Sequence, residues 1–192
     1  KKIKTFGLHG WQPGPETKDL DVDYVACRDE YTLLKTFLEW WQENCPDIIT
    51  GWNSALFDIP YLLARTERIL GEGEHKKFSP FGLVNKRKIR FAQREMTAYE
   101  ITGVAQLDYL DLYKKFTYIT RESYKLDFIA ETELGEKKLE SGFETFKEFY
   151  EGDWNRFVDY NIVDTVLIDK LEDKMKLIEL AITMAYDAKC NY

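Results

Sequence analysis

The sequence predicts a single α/β domain whose second half is mainly helical. Before Leu110, short alternating or apolar runs typical of strands are interspersed with runs whose apolar residues recur at helical spacing. From Leu110 onward, most of the chain follows the helical period. A chain of 192 residues is long enough for one such domain with a sizeable core.

The first predicted elements are a strand, a loop and a helix. Residues 3–8 alternate between apolar and polar side chains, which predicts a half-buried strand. Residues 11–23 hold two prolines and four acidic side chains, which predicts an exposed loop. Leucine and aromatic residues recur at helical spacing over 30–45, so we expect an amphipathic helix that Pro46 ends.

A strand–loop–helix unit follows. Residues 47–52 form an apolar, β-branched run that predicts a buried strand. Residues 59–70 predict a helix with Asp58 near its N-cap. Further strands are predicted over 87–92, 99–102 and 104–109, the last two joined in a tight turn at Thr102-Gly103.

The remaining predicted elements are helices. They cover residues 110–116, 124–133, a short stretch around 143–150, and one long helix from 153 to about 189.

Charge and composition narrow the classes of function. The net charge of −7 argues against a uniformly basic, duplex-coating surface. Residues 75–94 nevertheless carry seven Lys and Arg side chains and no acidic one, which fits either a phosphate-facing strip or a solvated hairpin. The three cysteines are far apart, so we expect no zinc site or disulfide framework. No apolar run approaches the roughly 18 residues of a membrane helix, so no membrane partner is expected.

Two aspartates are candidates for chemistry. Asp58 follows a predicted buried strand and opens a helix, a position that faces a ligand crevice in α/β sheets but also suits simple helix capping. Asp164 lies in the long helix, four residues after Tyr160, so both side chains share one face. A metal-ligand role and plain solvent exposure both explain an aspartate there. Asp108 and Asp111, at a strand-to-helix junction, are predicted to be structural, as a cap or as surface ion-pair partners.

Taken together, two short motifs point to one family. Asn53-Ser-Ala-Leu-Phe57-Asp58 and Tyr160-Asn-Ile-Val-Asp164 resemble the second and third exonuclease motifs of DNA polymerase proofreading domains, and 106 residues separate their aspartates. From about residue 24 to the last, the chain is similar to family B polymerases of the T-even phage type. The segments that carry this likeness, in the same order, are 47–61 (DIITGWNSALFDIPY), 78–82 (FSPFG), 107–116 (LDYLDLYKKF), 160–164 (YNIVD) and 185–189 (AYDAK).

The resemblance implies an RNase H-like fold and a 3′→5′ proofreading exonuclease. In the family, four carboxylates hold two divalent ions, Mg²⁺ or Mn²⁺, and the implied ligands here are Asp58 and Asp164. Tyr160 would orient the attacking water, while Asn53 and Phe57 would line the path of the single-stranded 3′ end. Primer–template DNA and a sliding clamp would be partners of the parent polymerase, in the cytoplasm of the infected bacterial host.

One expected motif is missing. The family places an Asp-x-Glu pair on its first strand, and the 192 residues contain none. We therefore expect residues 1–192 to be a single partial exonuclease domain, truncated at its N-terminus, ending at the junction with the polymerase palm and inactive alone. Asp21-Val-Asp23 is a poor imitation of the pair. A stand-alone exonuclease of the same superfamily and a non-catalytic α/β binding domain are the alternatives.

Overall fold

A computed structural model describes residues 1–91, 94–136 and 142–190, with the side chains of Phe91 and Arg94 outside this description. The described chain is mixed α/β, as predicted, and forms two compact units. The first unit comprises Lys1–Leu33 and Arg121–Met175; the second comprises Leu34–Thr120 and Lys176–Tyr192. Residue 92 of one predicted strand lies outside the described residues.

The first unit contains a two-stranded parallel sheet. Strand β1 (Lys2–Gly7) confirms the first predicted strand and pairs with β2 (Asp21–Ala26). Strand β2 corrects the prediction that all of residues 11–23 form a loop. The strand does alternate between polar and apolar residues, but the acidic, proline-containing stretch that precedes it is typical of a loop. Across the sheet, the Asp23 carboxylate accepts a hydrogen bond from Lys4 Nζ at 2.8 Å.

Three helices complete the first unit. They are α4 (Leu126–Leu134), α5 (Phe146–Gly152) and α6 (Trp154–Met175), and α6 packs against α4, α5 and β1. Gly135 ends α4 in the left-handed conformation (φ 70°) that glycine adopts without steric cost. Thr145 and Glu148 form a capping box at the start of α5.

The second unit contains a compact apolar core and most of the helix at Glu30–Glu43, which begins in the first unit. Helix α1 (Glu30–Glu43) confirms the predicted amphipathic helix, and α2 (Asp58–Leu70) confirms the next one. A short 3₁₀ helix (Glu74–Phe78) follows α2. Helices α3 (Tyr109–Phe116) and α7 (Leu177–Ala188) pack against each other. One cluster of buried core residues in this unit comprises Leu38, Trp41, Leu63, Phe78, Tyr99, Ile101 and Val104.

Strand pairing in the second unit differs from the prediction. The hairpin forms between β4 (Val84–Phe91) and β5 (Arg94–Ile101), which are antiparallel. Strand β6 (Ala105–Gln106) does not pair with β5; it pairs in parallel with β3 (Ile48–Ile49). The turn at Thr102-Gly103 therefore redirects the chain from one sheet to another. Strand β3 is also shorter than predicted, and it is half-buried rather than buried.

The long C-terminal helix predicted from residue 153 is divided into two. Lys176 adopts a left-handed conformation (φ 56°) that ends α6 and starts α7. A non-glycine residue is uncommon in this region, and its side chain gives no sequence signal of a break. Among the described residues, no helix is both long and apolar enough to cross a membrane.

Candidate active site

The segment that carries Asp58 is anchored by a backbone ladder beyond the formal ends of β3 and β6. Alternate amides on one side donate to alternate carbonyls on the other at 2.8–2.9 Å: Ala105 to Asp47, Leu107 to Ile49 and Tyr109 to Gly51. The chain turns tightly after Gly51, where an added Cβ would lie 2.7 Å from Ser54 Cβ. The predicted strand over 47–52 thus exists as a ladder, although only two of its residues have full strand geometry.

Asp108 takes over where this ladder ends. Its carboxylate accepts the amide of Asn53 at 2.9 Å on Oδ1 and the amide of Ala55 at 3.0 Å on Oδ2. Oδ1 also accepts the amide of Leu110 at 3.0 Å, which makes Asp108 the N-cap of α3. The side chain is buried. The predicted structural role is confirmed, since Asp108 caps α3. That Asp108 also holds the amides of Asn53 and Ala55 was not predicted.

Asp58 is the first residue of α2 and does not cap it. Phe57 occupies the N-cap position, and no side-chain capping bond is formed there. Asp58 reaches solvent, yet surrounding protein partly desolvates its carboxyl group. This desolvation, together with the negative charge of Asp108, raises the pKa of Asp58 above its ordinary value, against the lowering effect of its own backbone amide.

Asn53 and Phe57 lie in the same turn as Asp58. Asn53 adopts a left-handed conformation (φ 63°), which asparagine tolerates better than most residues. The side chain of Phe57 is 55% exposed. Three of the predicted site residues are therefore grouped in one short turn of the second unit.

A groove borders this turn. It has a volume of about 900 Å³, within the range of small-ligand sites. Ala55 and Leu56 line it from the turn, Arg87 and Ile89 from β4, and Asp111 from α3. Partial burial and the charge of Asp108 raise the pKa of the Asp111 carboxyl.

Tyr160 and Asp164 belong to the first unit. Both are half-buried on α6, at positions one helical turn apart, as predicted. The ring of Tyr160 contacts two aromatic side chains of α5 edge-on, Phe146 at 6.0 Å and Phe149 at 5.6 Å between centroids. No local sequence pattern connects this aromatic pair with Tyr160, because α5 meets α6 through tertiary packing.

Asp159, the neighbour of Tyr160, was also missed. Its buried Oδ1 atom accepts hydrogen bonds from Thr17 Oγ1 at 2.6 Å and Trp11 Nε1 at 3.0 Å, with a longer one from the Gly14 amide at 3.4 Å. The loop after β1 is thereby tied to α6 directly beside the third motif. An aspartate within an apolar helical stripe was the available signal.

Asp58 belongs to the second unit and Asp164 to the first. Within residues 1–91, 94–136 and 142–190, no group of three or more His, Cys, Asp or Glu side chains is arranged to hold a metal ion. Oxygen donors of this kind suit Mg²⁺ or Mn²⁺. The carboxylates of Asp58 and Asp164 would offer oxygen donors of the right chemistry, but they are two where the family resemblance implies four.

Comparison with known proteins defines the class to which this site belongs. The family profile described as "DNA polymerase family B, exonuclease domain" matches residues 9–129, and the chain belongs to this family. The DNA-directed DNA polymerase of Escherichia phage RB69 is 35% identical over 181 residues, covering 93% of this chain and 20% of that protein. The corresponding polymerase of Enterobacteria phage T4 is 35% identical over 171 residues, covering 89% and 19%.

The similarity extends beyond phages. The DNA polymerase delta catalytic subunit of Oryza sativa is 25% identical over 177 residues, covering 85% of this chain and 16% of that protein. The chain spans about a fifth of the length of its phage relatives. The predicted relationship to T-even phage polymerases is confirmed.

Proposed function

We propose that the two units together form one RNase H-like domain that removes nucleotides from the 3′ end of single-stranded DNA and so proofreads for its parent polymerase. The family match supports this grouping, because residues 9–129 include parts of both units. The observation that carries the proposal is the turn before α2. There the second motif is one local structure, with Asp58 and the exposed ring of Phe57 side by side.

Asp58 and Asp164 would serve as metal ligands. The carboxyl group of Asp58 is partly desolvated and lies near the negative charge of Asp108. A bound cation would stabilise its ionised form. Bound Mg²⁺ or Mn²⁺ would supply Lewis-acid stabilisation of the charge that develops during phosphodiester hydrolysis. The family uses four carboxylates, and the 192 residues contain no Asp-x-Glu pair. We therefore expect full exonuclease activity in the parent polymerase and none in residues 1–192 alone.

The other site residues would bind and orient the substrate. Phe57 offers a ring on which any base can stack, which suits a path that must accept all sequences. Asn53 would line the same path, and the groove beside Ala55 and Leu56 provides space for the terminal nucleotides. The Tyr160 hydroxyl would orient the attacking water at the scissile phosphate.

Wider roles follow from the parent protein. We propose that it is a replicative DNA polymerase of a phage, acting on primer–template DNA in the cytoplasm of the infected bacterium. A sliding clamp would be a partner of that parent. The two phage relatives, which are DNA-directed DNA polymerases, support this part of the proposal.

Release of nucleotides from a 5′-labelled single-stranded oligonucleotide tests the function. The parent polymerase, without deoxynucleotides, is expected to shorten the labelled strand from its 3′ end with Mg²⁺ and to stop when the metal is chelated. The 192-residue chain is expected to leave the strand intact. A parent with no metal-dependent 3′ degradation would support a non-catalytic domain, and robust degradation by the chain alone would support a self-sufficient exonuclease.

Asp164→Ala in the parent adds a residue-specific test. Removing a direct metal ligand is expected to abolish turnover. Asp169→Ala is the matched control, because Asp169 lies on the same helix and makes an exposed ion pair with Lys1 at 2.8 Å. Equal activities of the two variants would refute the assignment of Asp164.

A further inference from the structure

Asp108 makes more hydrogen bonds than a helix cap requires. An N-cap needs one acceptor oxygen, which Ser, Thr or Asn provides as well as Asp. Asp108 uses both carboxylate oxygens, for the cap at Leu110 and for the amides of Asn53 and Ala55. The two partners in the turn lie 55 and 53 positions away in sequence. Only a side chain with two acceptor oxygens satisfies all three donors.

The Asp108 carboxylate provides hydrogen-bond acceptors where the backbone ladder ends. The last backbone bond of the ladder runs from Tyr109 to Gly51 at 2.8 Å. Beyond Gly51, the amides of Asn53 and Ala55 donate to the Asp108 side chain. Asn53 is in the left-handed region (φ 63°), a conformation that persists when surrounding contacts fix it.

We infer that Asp108 is a positioning residue of the exonuclease reaction, a role that rests on the function proposed above. By holding the amides of Asn53 and Ala55, it fixes the turn that presents Phe57 and Asp58 to the DNA end. Loss of the carboxylate would leave the amides of Asn53 and Ala55 without their hydrogen-bond acceptor, and the conformation of the turn would no longer be fixed. A shift of about 1 Å at a reacting group can lower a rate by about 100-fold.

Asp108→Ser separates the two roles of this side chain. Serine retains one oxygen for the cap at Leu110 but cannot also serve the turn. Amide hydrogen exchange on the 192-residue chain is expected to show protection lowered by about tenfold at Asn53 and Ala55, with Leu110 within about threefold of wild type. Asp108→Asn, which keeps the size and one acceptor oxygen of the side chain, is expected to expose one of the two turn amides.

The same substitutions in the parent polymerase test the effect on the reaction. Asp108→Ser is expected to lower kcat for 3′ nucleotide release by about 10- to 100-fold, with KM for the oligonucleotide changed by less than about threefold. Asp108→Asn should be intermediate. Asp29→Ala is the matched control: Asp29 accepts the Thr32 amide at 2.7 Å at the start of α1, so its loss removes a cap that is remote in sequence from the turn.

These measurements distinguish failure of the inference about Asp108 from failure of the proposed function. Full kcat in Asp108→Ser or Asp108→Asn, with exposed turn amides, would overturn the inference and leave the proposed function intact. A lowered kcat with unchanged protection at Asn53 and Ala55 would also overturn it, as would an equal loss of kcat in Asp29→Ala. A wild-type parent without exonuclease activity would overturn the proposed function itself, and that result requires no variant.

Discussion

The ring of Tyr160 meets the ring of Phe149 edge-on, with centroids 5.6 Å apart and planes at 90°. Phe146 contacts Tyr160 in a similar way, at 6.0 Å and 77°. Edge-to-face pairs of this kind favour one orientation of the rings. Helix α5 therefore holds the ring to which we assign the orientation of the attacking water.

The two phenylalanines should contribute very differently to stability. Phe149 is 1% exposed and Phe146 is 65% exposed. Phe149→Ala leaves a cavity and is expected to lower the free energy of unfolding by about 3–5 kcal/mol. Phe146→Ala is expected to lower it by less than about 1.5 kcal/mol, the upper value of one aromatic pair. Urea unfolding of both variants measures the difference, and equal losses would contradict the described burial of α5.

Tyr160→Phe tests the proposed role of the hydroxyl group. The ring and its contacts with α5 remain. Loss of one oriented polar group is expected to slow exonuclease turnover of the parent polymerase by about 10- to 1000-fold. Tyr150→Phe is the control, since the Tyr150 hydroxyl makes an exposed and long hydrogen bond to Glu151 at 3.5 Å. Equal rates in the two variants would remove the Tyr160 hydroxyl from the reaction.

Asp159→Ala should detach the loop after β1 from α6. The substitution removes the acceptor of Thr17 and Trp11, and hydrogen bonds to a charged group contribute about 1.5–3 kcal/mol each. We expect a loss of about 3–6 kcal/mol in the free energy of unfolding and faster proteolysis of the loop. Asn155→Ala is the control, since it removes one exposed bond to the Gln12 amide. An Asp159→Ala variant as stable as that control would contradict this account.

His75 should make stability depend on pH. It is buried, and its Nδ1 atom lies 3.3 Å from Oε1 of Glu67. The other carboxylate oxygen of Glu67, Oε2, accepts a hydrogen bond from Lys86 Nζ at 2.6 Å. Burial lowers the pKa of His75 below its ordinary value, although the Glu67 carboxylate opposes this. As the pH falls below about 6.5, the unfolded chain therefore binds a proton at this residue before the folded chain does, and stability decreases.

The slope from this one group is at most about 1.4 kcal/mol per pH unit. Urea unfolding of wild type and His75→Gln between pH 8 and pH 5 measures it. The free-energy difference between the two proteins should change in favour of the variant as the pH falls. A constant difference across this range would show that His75 does not titrate differently on folding.

Local signals in the sequence predicted α1 and α2 well, because apolar residues recur on one face and Pro46 and Gly71 mark the ends. The predictions failed where a partner is distant in sequence. Strand β6 pairs with β3, and nothing in the turn at Thr102-Gly103 distinguishes that outcome from a hairpin. Likewise, the division between α6 and α7 depends on the backbone of Lys176, a residue that suits a continuous helix.

The same distinction applies to the candidate site. The motifs identified Asn53, Phe57 and Asp58, which the structure groups in one turn, and Tyr160 and Asp164, which it places on one helix. Asp108 and Asp159 were recognisable only as aspartates near helices. Their hydrogen bonds join segments separated by 53–55 and 142–148 positions, and no local pattern encodes such bonds.

A crystal structure of the parent polymerase with single-stranded DNA and Mn²⁺ would show whether Asp58 and Asp164 belong to one metal site. Metal–oxygen distances of about 2 Å and an ion separation of about 4 Å place the nearest carboxylate oxygens of Asp58 and Asp164 within about 8 Å of each other. We predict anomalous peaks at this position, with Tyr160 facing the same cleft. Asp58 and Asp164 carboxylates on opposite faces of the domain, or manganese bound to neither, would contradict the proposed active site.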